Sequence, residues 1–345
     1  MKKLLQNVYL ALTTCERRFF EVFSFLVYRP QARVISVGNL SMGGTGKTPV
    51  LFEIIEELRQ SHNVCVLSRG YRSPWERSFY HLQGKGSHPD GLTDEALLLN
   101  RRFPQIPVLL GKNRHHAAIV GEQRVKPDIF LLDDGFQYRR LRKDVELLLW
   151  DAMSDPTEAQ LLPAGRLREP LSRLRDAQAV LLTRCESVSE DKIAFWKKWL
   201  SEKAPGVPVI MVQTRCYGLF DCHDNRLPLV ESQAEFMAFS AIGRPESFYA
   251  QLEQIGCRIG DRVEFRDHHR FSDSELVELG RKATEKKLRP VCTEKDFCKI
   301  SPEIAEKLNI SVLKIRTLPV SQRSFTAELA AVGILLPAAT ASGGG

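Results

Sequence analysis

Short apolar segments alternate with amphipathic ones along most of the chain. Apolar runs rich in β-branched residues are typical of buried strands. They occur at residues 34–37, 64–67, 108–110, 128–133, 145–150, 179–182 and 209–212. Because helical patterns separate these runs, the sequence predicts a doubly wound, mostly parallel α/β sheet.

A change in composition after Val212 predicts a boundary between two lobes. Residues 214–228 are polar and contain Gly, Asp, His and Asn. We therefore expect a larger lobe at 29–213 and a smaller α/β second lobe at 214–337 that includes a C-terminal helix. In the second lobe the pattern predicts strands at 236–239 and 263–265, helices at 245–255 and from Ser272, and a strand ending at Cys292. We expect a mobile loop at 73–91 and a frayed tail at 338–345.

Residues 1–28 carry a helical stripe of apolar side chains opposite a polar face. The stripe consists of Leu5, Val8, Leu12, Cys15, Phe19, Val22, Phe23 and Leu26. No apolar run approaches the ~20 residues needed to span a bilayer. Glu16, Arg17 and Arg18 interrupt the segment, which argues against a cleavable signal peptide. The helix packs on the protein's own core, or it lies in a membrane interface with its phenylalanines inserted.

Composition adds limits to this picture. The chain has 345 residues, of which 43% are hydrophobic and 26% charged, so it is long enough for two globular domains. Its net charge of +7 favours phosphorylated ligands or an anionic membrane surface, without excluding nucleic acid. The eight cysteines show no zinc or disulfide spacing, which predicts reduced thiols and a cytoplasmic compartment.

A glycine-rich turn joins the first strand to a helical pattern that starts near Val50. Strand, glycines, Lys-Thr and helix in this order predict a phosphate-binding loop. Its residues are Ser41, Met42, Gly43, Gly44, Thr45, Gly46, Lys47 and Thr48. Ser41 stands where the usual pattern opens with glycine. Lys47 would reach the outer phosphates of a nucleoside triphosphate, and the Thr48 hydroxyl would bind magnesium.

Two adjacent acids, Asp133 and Asp134, end a buried strand. Their burial costs desolvation energy unless a cation neutralises them. Such an acid is the usual companion of a phosphate-binding loop and binds Mg²⁺ directly or through water. A simple turn at Asp134 is the alternative.

Further polar residues follow other strands, where open α/β sheets bind ligands. Ser68, Arg69, Tyr71 and Arg72 follow the second strand, and Arg114 follows a third. Solvated loops are the alternative.

Two further acids, Glu169 and Asp94, can each be explained by local structure without a function. Arg168 and Glu169 lie in a loop that could supply a phosphate contact, a metal-binding acid or a solvated turn. Thr93 predicts a helix cap followed by Asp94 in the first turn.

Taken together, these motifs resemble the tetraacyldisaccharide 4′-kinase family, whose members phosphorylate a membrane-resident acylated disaccharide in the lipid A pathway. The matching stretches run in the family's order over nearly the whole chain: VGNLSMGGTGKTP (37–49), SRGYR (68–72), DE (94–95), DDGFQ (133–137), LPAGRLREP (162–170), AIGRPESF (241–248), DHHRF (267–271) and TEKD (293–296). Two positions depart from the pattern: Tyr138 replaces a common histidine and Arg166 a common proline.

The resemblance implies a peripheral lipid kinase at the cytoplasmic face of the inner membrane. It implies ATP and Mg²⁺ as cofactors, an acylated disaccharide 1-phosphate as substrate, an N-terminal helix docked on the membrane, and no nucleic-acid partner. Glu169 would be a further metal-site acid, with substrate contacts from Ser68, Arg69, Tyr71, Arg72, Arg114 and Arg168. Asp94 and His268 would form the base and its partner. Because we assign Asp94 to the first lobe and His268 to the second, we expect the pair to assemble only on lobe closure.

Two other functions remain as alternatives. Residues 183–186, Thr-Arg-Cys-Glu, partly match a guanine-recognition element, as expected for a GTPase or ATPase switch or transport factor. The basic run at 139–143 suggests an ATPase that handles nucleic acid. That run is flanked by acids, however, and is more typical of a solvated face.

Overall fold

The computed structural model describes residues 2–71, 73–84, 91–228 and 235–334. The chain forms two compact units. Unit 1 comprises Met1–Leu92, Pro104–Thr214 and the chain from Thr317, and unit 2 comprises Thr93–Phe103 and Arg215–Arg316. Arg72 and the predicted frayed tail at 338–345 lie outside the described residues.

Ten α-helices and twelve strands make up the regular structure of the described residues. The helices are α1 (Lys2–Val22), α2 (Lys47–Leu58), α3 (Asp94–Arg102), α4 (Arg114–Arg124), α5 (Glu190–Lys203), α6 (Pro245–Gln254), α7 (Asp273–Glu285), α8 (Glu294–Phe297), α9 (Pro302–Lys307) and α10 (Phe325–Ala331). The strands are β1 (Arg33–Asn39), β2 (Val64–Ser68), β3 (Tyr80–Leu82), β4 (Val108–Leu110), β5 (Ile129–Asp133), β6 (Val145–Asp151), β7 (Ala179–Thr183), β8 (Val209–Phe220), β9 (Glu235–Ser240), β10 (Arg258–Glu264), β11 (Arg289–Thr293) and β12 (Ser311–Pro319).

The strands of unit 1 lie in the order β8-β7-β6-β1-β5-β2-β4-β3. Every pair is parallel except β3 with β4, at the edge. β1 is central and almost completely buried because its apolar side chains face neighbours on both sides. Val37 of β1 lies opposite Asp133 of β5, so the carboxyl ends of these two strands meet at one edge of the sheet. Open α/β sheets bind their ligands at that edge.

Helix α1 presents its apolar stripe to solvent. Val8 and Leu12 are at least half exposed, and Leu5 and Phe19 are nearly so. The opposite side, with Tyr9, Thr13, Arg17 and Phe20, is partly buried. Tyr9 packs against a cluster of unit 1 core residues, and its hydroxyl donates a hydrogen bond to the main-chain oxygen of Arg168 at 2.9 Å. Helix α1 therefore packs on the core through this opposite side, and its apolar stripe is not buried there. Among the described residues, no helix combines the length and apolar character required to cross a bilayer.

The C-terminal part of unit 1 packs back onto α2. The side chain of Phe325, the first residue of α10, is fully buried. The Glu57 carboxylate accepts hydrogen bonds from the main-chain amides of Phe325 at 2.7 Å and Thr326 at 2.8 Å. An acidic group at a helix N-terminus satisfies amides that lack a partner within the helix.

In unit 2 the strands lie in the order β10-β9-β11-β12-β8, and β9 pairs in parallel with β10 and β11. Its core includes Phe239, Leu276 and Cys292, all buried. α7 begins with a capping box between Ser272 and Glu275, and α3 packs against α8. α3 therefore belongs to unit 2, although its sequence lies between elements of unit 1.

Several local predictions need correction. The Ser73–Gly91 segment contains strand β3 and a short 3₁₀ helix at Pro74–Glu76, so its described part is structured. α2 begins at Lys47 rather than near Val50. β8 continues through the polar residues to Phe220, because residues 214–217 alternate between partly buried and exposed positions, as a strand requires. A polar composition thus marked one face of a strand rather than its end.

Candidate active site

The glycine-rich loop connects the end of β1 to the start of α2. Gly46 adopts φ +83° immediately before α2, a conformation that favours glycine, and Lys47 is the first helical residue. The Lys47 ammonium donates a hydrogen bond to Asn39 Oδ1 at 3.2 Å and lies 3.4 Å from Asp134 Oδ1. The structure therefore brings the predicted phosphate-binding lysine and an acid of the predicted metal site together.

Side chains that the sequence analysis did not identify brace this loop. Buried Asn39 donates a hydrogen bond from Nδ2 to Thr45 Oγ1 at 3.0 Å. Thr183 Oγ1 donates to the Thr45 carbonyl at 2.9 Å. Arg184 Nη2 donates to the Gly44 carbonyl at 2.8 Å, while its Nη1 pairs with Asp151 at 2.6 Å. In the sequence, a polar Asn at the end of the first apolar strand was an available signal.

Asp134 is clasped by two cations. It adopts φ +49°, and the Arg168 guanidinium binds both of its carboxylate oxygens at 2.9 Å. Burial alone would raise the pKa of Asp134, but the hydrogen bonds and charges of Arg168 and Lys47 outweigh it and lower that pKa to about 2. The adjacent Asp133 accepts a hydrogen bond from Ser68 Oγ at 3.1 Å.

The donor set fits a magnesium ion better than a metal held by protein ligands alone. In the part of the chain that is described, no three His, Cys, Asp or Glu side chains are grouped to hold a metal. Mg²⁺ does not need such a cage, since it commonly binds one or two carboxylates together with substrate phosphates and water. The Thr48 hydroxyl and the Asp133 carboxylate are hard oxygen donors of the kind that Mg²⁺ prefers.

Glu169 lies in a buried ionic network. Its carboxylate accepts a hydrogen bond from Arg139 Nη2 at 2.6 Å, and Arg173 Nε lies 3.8 Å from it. Burial raises the pKa of Glu169, and the two arginines oppose that change. Lys143 forms a second buried pair with Glu146. The basic run at 139–143 is therefore not simply a solvated face, because two of its cations are held in ion pairs.

The predicted substrate-binding residues occupy different environments. Arg69 pairs with Glu76 at 2.7 Å, and its guanidinium lies 5.2 Å from the centre of the half-exposed Tyr71 ring. Arg114 is buried, and its guanidinium lies 4.0 Å from the centre of the Tyr138 ring.

The environment of Arg114 is unusual for a buried cation. Burial lowers the pKa of Arg114, although Asp134 and Asp133 act in the opposite direction. The Tyr138 hydroxyl accepts a hydrogen bond from the His115 amide at 3.0 Å, and so binds the first turn of α4. Tyr138, whose role the sequence left open, thus contacts both Arg114 and its helix.

Asp94 and His268 meet within unit 2. The Asp94 Oδ2 and His268 Nδ1 atoms are 3.0 Å apart. Asp94 is buried in the first turn of α3, which Thr93 caps as predicted. His268 adopts φ +63° and is half exposed. The expectation that the pair assembles only on lobe closure is wrong, because the apolar face of α3 packs with unit 2 and carries Asp94 there.

Two lysines that the sequence analysis did not single out accompany this pair. Lys299 Nζ lies 3.3 Å from Asp94 Oδ2, and Lys295 Nζ lies 3.9 Å from the same atom. Burial alone would lower the pKa of Lys299, but Asp296 and Asp94 raise it. The charged lysines stabilise the carboxylate of Asp94. While His268 Nδ1 bonds to Asp94, its Nε2 lies 3.8 Å from Asp267 Oδ2.

Comparisons with known proteins agree on one family. The family model described as tetraacyldisaccharide-1-P 4′-kinase matches residues 3–333. A tetraacyldisaccharide 4′-kinase from Halothermothrix orenii is 31% identical over 343 residues, covering 90% of this chain and 87% of that protein. One from Koribacter versatilis is 34% identical over 302 residues, covering 85% and 83%. The crystal structure of LpxK from Aquifex aeolicus in complex with ATP superposes with a TM-score of 0.76 at 25% identity, covering 95% of this chain and 96% of that one.

Proposed function

This chain belongs to the tetraacyldisaccharide-1-P 4′-kinase family, and we propose that it phosphorylates the 4′-hydroxyl of a tetraacylated glucosamine disaccharide 1-phosphate. It is a P-loop kinase of lipid A biosynthesis with a mostly parallel α/β fold. The proposal adds the acceptor, the magnesium ion and the location, which is the cytoplasmic face of the inner membrane.

One observation carries the proposal. The loop that begins α2 and the acids that end β5 lie at the same edge of the sheet, with Lys47 Nζ 3.4 Å from Asp134 Oδ1. Phosphoryl transfer asks the protein mainly for positioning and for charge stabilisation. A lysine, loop amides and a pair of acids at one sheet edge supply both.

Unit 1 provides the groups for the nucleotide. Lys47 and the amides of residues 41–48 would hold the β- and γ-phosphates of ATP. Thr48 and Asp133 would hold Mg²⁺, with Asp134 and Glu169 as the further acids proposed for that site. When bound, the ion neutralises charge on the transferred phosphoryl group.

Unit 2 provides the groups for the proton. A sugar hydroxyl is too weakly acidic to ionise at neutral pH, so a positioned base assists as its proton leaves. Asp94 would hold the His268 imidazole in one tautomer, and the two residues would accept the proton as one unit.

We propose a separate set of residues for binding the sugar phosphate and the lipid headgroup. They are Ser68, Arg69, Tyr71, Arg72, Arg114 and Arg168.

The exposed stripe of α1 supports a membrane location. Leu5, Leu12 and Phe19 are apolar and at least 47% exposed, which is costly in water and favourable at a lipid interface. A net charge of +7 favours the anionic lipids of such a surface. A helix docked on the membrane would bring the enzyme to a lipid acceptor that stays in the bilayer.

The switch and nucleic-acid alternatives lose their specific support. Thr183 and Arg184 bond to main-chain carbonyls of the phosphate loop, and Glu186 accepts the Thr214 amide at 2.9 Å, so these residues have structural roles without a guanine base. Arg139 and Lys143 of the basic run are engaged by acids.

A turnover assay tests the function. The full chain is incubated with ATP and Mg²⁺ in mixed micelles that contain the acylated disaccharide 1-phosphate, in parallel with single-stranded nucleic acid and with no acceptor. We expect ADP release and a doubly phosphorylated lipid in the first reaction. Lys47→Ala should lose on the order of 3 kcal/mol of transition-state stabilisation, the cost of one charge contact in a closed site.

The control variant is Lys126→Ala, which removes a cation from a loop residue between α4 and β5 and should leave turnover unchanged. ATP hydrolysis that is independent of the lipid and stimulated by nucleic acid would overturn the proposed acceptor. Undiminished transfer by Lys47→Ala would overturn the assignment of the phosphate-binding loop.

A further inference from the structure

The segment Arg166–Arg168 runs alongside the phosphate-binding loop as a short antiparallel ladder. The Met42 amide donates to the Arg166 carbonyl at 2.8 Å, and the Arg168 amide donates to the Leu40 carbonyl at 2.6 Å. Ser41 and Leu167 form the bridge between the two hydrogen bonds. This ladder fixes the register of the segment against the loop.

Alternation along the ladder places two arginines on one face. Successive side chains of an extended segment point to opposite sides. Leu167 is 2% exposed and lies in the unit 1 core, so its neighbours Arg166 and Arg168 share the other side. The Arg168 guanidinium then reaches Asp134, and the Arg166 guanidinium reaches the Met42 carbonyl in the glycine-rich loop.

The two arginines differ in how firmly they are held. Arg168 is fixed by two hydrogen bonds to Asp134 and further bonds to Asn39. Arg166 makes long contacts, 3.3 Å from Nη2 to the Met42 carbonyl and 3.4 Å from Nη1 to Glu158 Oε2. Its side chain is 51% exposed and that of Glu158 50%, and exposed ion pairs of this kind are weak. The guanidinium of Arg166 can therefore exchange these partners for a stronger one.

The position of Arg166 over Gly43 shows where that partner would be. A Cβ atom built on Gly43 would lie 2.7 Å from Arg166 Nη2, so the guanidinium lies directly against the backbone of the third loop residue. The backbone of a phosphate-binding loop cradles the β- and γ-phosphates. With ATP bound in this way, Arg166 would lie beside the oxygens that gain charge during transfer. It is also a position where this chain departs from the proline common in the family pattern.

We propose that Arg166 is an arginine finger supplied in cis, which contacts the terminal phosphoryl group of ATP in the transition state. The proposal rests on the proposed kinase function. During transfer the bond breaks between the γ-phosphorus of ATP and the oxygen that joins it to the β-phosphorus. The electron pair of that bond leaves with ADP. The new bond forms to the acceptor hydroxyl oxygen, whose proton passes to the Asp94–His268 pair. Arg166 exchanges no proton and donates two parallel hydrogen bonds to the charged phosphoryl oxygens.

Kinetics of three variants provide the first test. Arg166→Ala should lower kcat about 10²-fold, as does removal of one transition-state donor, with the KM for ATP nearly unchanged. Arg166→Lys should recover only part of the loss, because an ammonium cannot reproduce bidentate contact. Glu158→Gln is the matched control, since it removes the exposed partner of Arg166 and leaves the guanidinium in place. Its kcat should equal or exceed that of the unaltered chain.

A binding measurement separates a finger from a structural brace. The affinities for ADP and for ADP with aluminium fluoride, a mimic of the transferred phosphoryl group, are compared in the absence of lipid. Arg166→Ala should weaken binding of the mimic about 10²-fold and leave ADP affinity and melting temperature unchanged. Equal weakening for both ligands would identify Arg166 as a brace of the loop and overturn the proposal, as would an unchanged kcat.

Lipid phosphorylation and the role of Arg166 are tested by separate measurements. Lipid phosphorylation by the unaltered chain tests the proposed function and does not involve Arg166. The mimic measurement needs no acceptor, so it decides the role of Arg166 even if the acceptor were a different hydroxyl compound.

Discussion

His268 and Asp94 are separated by 174 positions along the chain, yet their side chains share a hydrogen bond of 3.0 Å. Groups that act as one proton-accepting unit are non-additive under mutation. We expect Asp94→Asn and His268→Ala each to lower turnover about 10²–10⁴-fold, with the double variant little worse than the poorer single one. ATP affinity should change much less, because neither residue belongs to the phosphate-binding loop.

Glu95→Gln is the matched control for this cycle. It removes a carboxylate of the same helical turn that lies 3.6 Å from Lys295 and does not contact His268. Turnover should therefore stay much closer to that of the unaltered chain than it does in Asp94→Asn. Losses that multiply in the double variant would instead indicate two independent roles, such as substrate positioning by one residue and charge stabilisation by the other.

Tyr138 offers a second prediction for a single residue. Its ring lies 4.0 Å from the Arg114 guanidinium, and its hydroxyl binds the first turn of α4. Tyr138→Leu removes a cation–π contact worth ~0.5–2 kcal/mol, so we expect the KM for the lipid acceptor to rise about 2- to 30-fold. Tyr138→Phe keeps the ring and should remain close to the unaltered chain. An equal rise for both variants would show that the hydroxyl, rather than the ring, positions Arg114.

Residues of the site differed in how well the sequence could reveal them. The positions of the glycine-rich loop after β1 and of Asp133–Asp134 at the end of β5 were predictable because each depends on neighbours in the chain. Their roles in binding stay predictions. Asn39, Thr183 and Arg184 were not, because their contacts with the loop arise only when separate strands meet. Asp94 and His268 came from family resemblance, since in isolation each has an ordinary local explanation.

Among the elements, α1 allows contact with a membrane to be tested separately from packing on the protein. Phe19→Asp with Phe23→Asp should release the protein from anionic vesicles, because each inserted phenylalanine contributes roughly 1.5–3 kcal/mol of apolar burial. Circular dichroism should show no unfolding, since both side chains are at least 40% exposed. Sedimentation with vesicles measures the effect. Undiminished binding would mean that the stripe has another partner.

Tyr9→Phe is the matched variant on the opposite side of the same helix. It removes the hydrogen bond to the Arg168 carbonyl and leaves the exposed stripe intact. We expect vesicle binding to be retained and the free energy of unfolding to fall by about 0.5–1.5 kcal/mol, the usual net contribution of such a bond.

Periodicity predicted the existence of most elements but not their packing partners. The strands β1, β4 and β6 fall within two residues of the predicted ranges, since continuous apolar runs are a strong local signal. β3 was missed because Tyr80-His81-Leu82 is short and polar on one side. The assignment of α3 to unit 2 could not be made from the sequence, because an amphipathic helix shows that a face is buried without showing against what.

At the scale of the whole molecule, each of the two units is built from segments that are separated in the sequence. α3 packs with α8 in unit 2, whereas β2 and α4 on either side of it in the sequence lie in unit 1. In native-state hydrogen exchange at low denaturant, we expect the amides of α3 to open together with those of α7 and β11. α4 is the control and should open with β4. Exchange of α3 in step with α4 would contradict the division.

The contact of Glu57 with Phe325 also bears on how the protein is made. The two residues are 268 positions apart. At about 5–20 residues per second, a ribosome needs roughly 15–50 seconds to add Phe325 after Glu57. Throughout that interval the surface of α2 that later holds α10 is open to solvent, in a chain whose nucleotide-binding loop has already been synthesised. The loop is therefore encoded early and its lobe is completed late, so the nascent protein must stay soluble while this surface of α2 is uncovered.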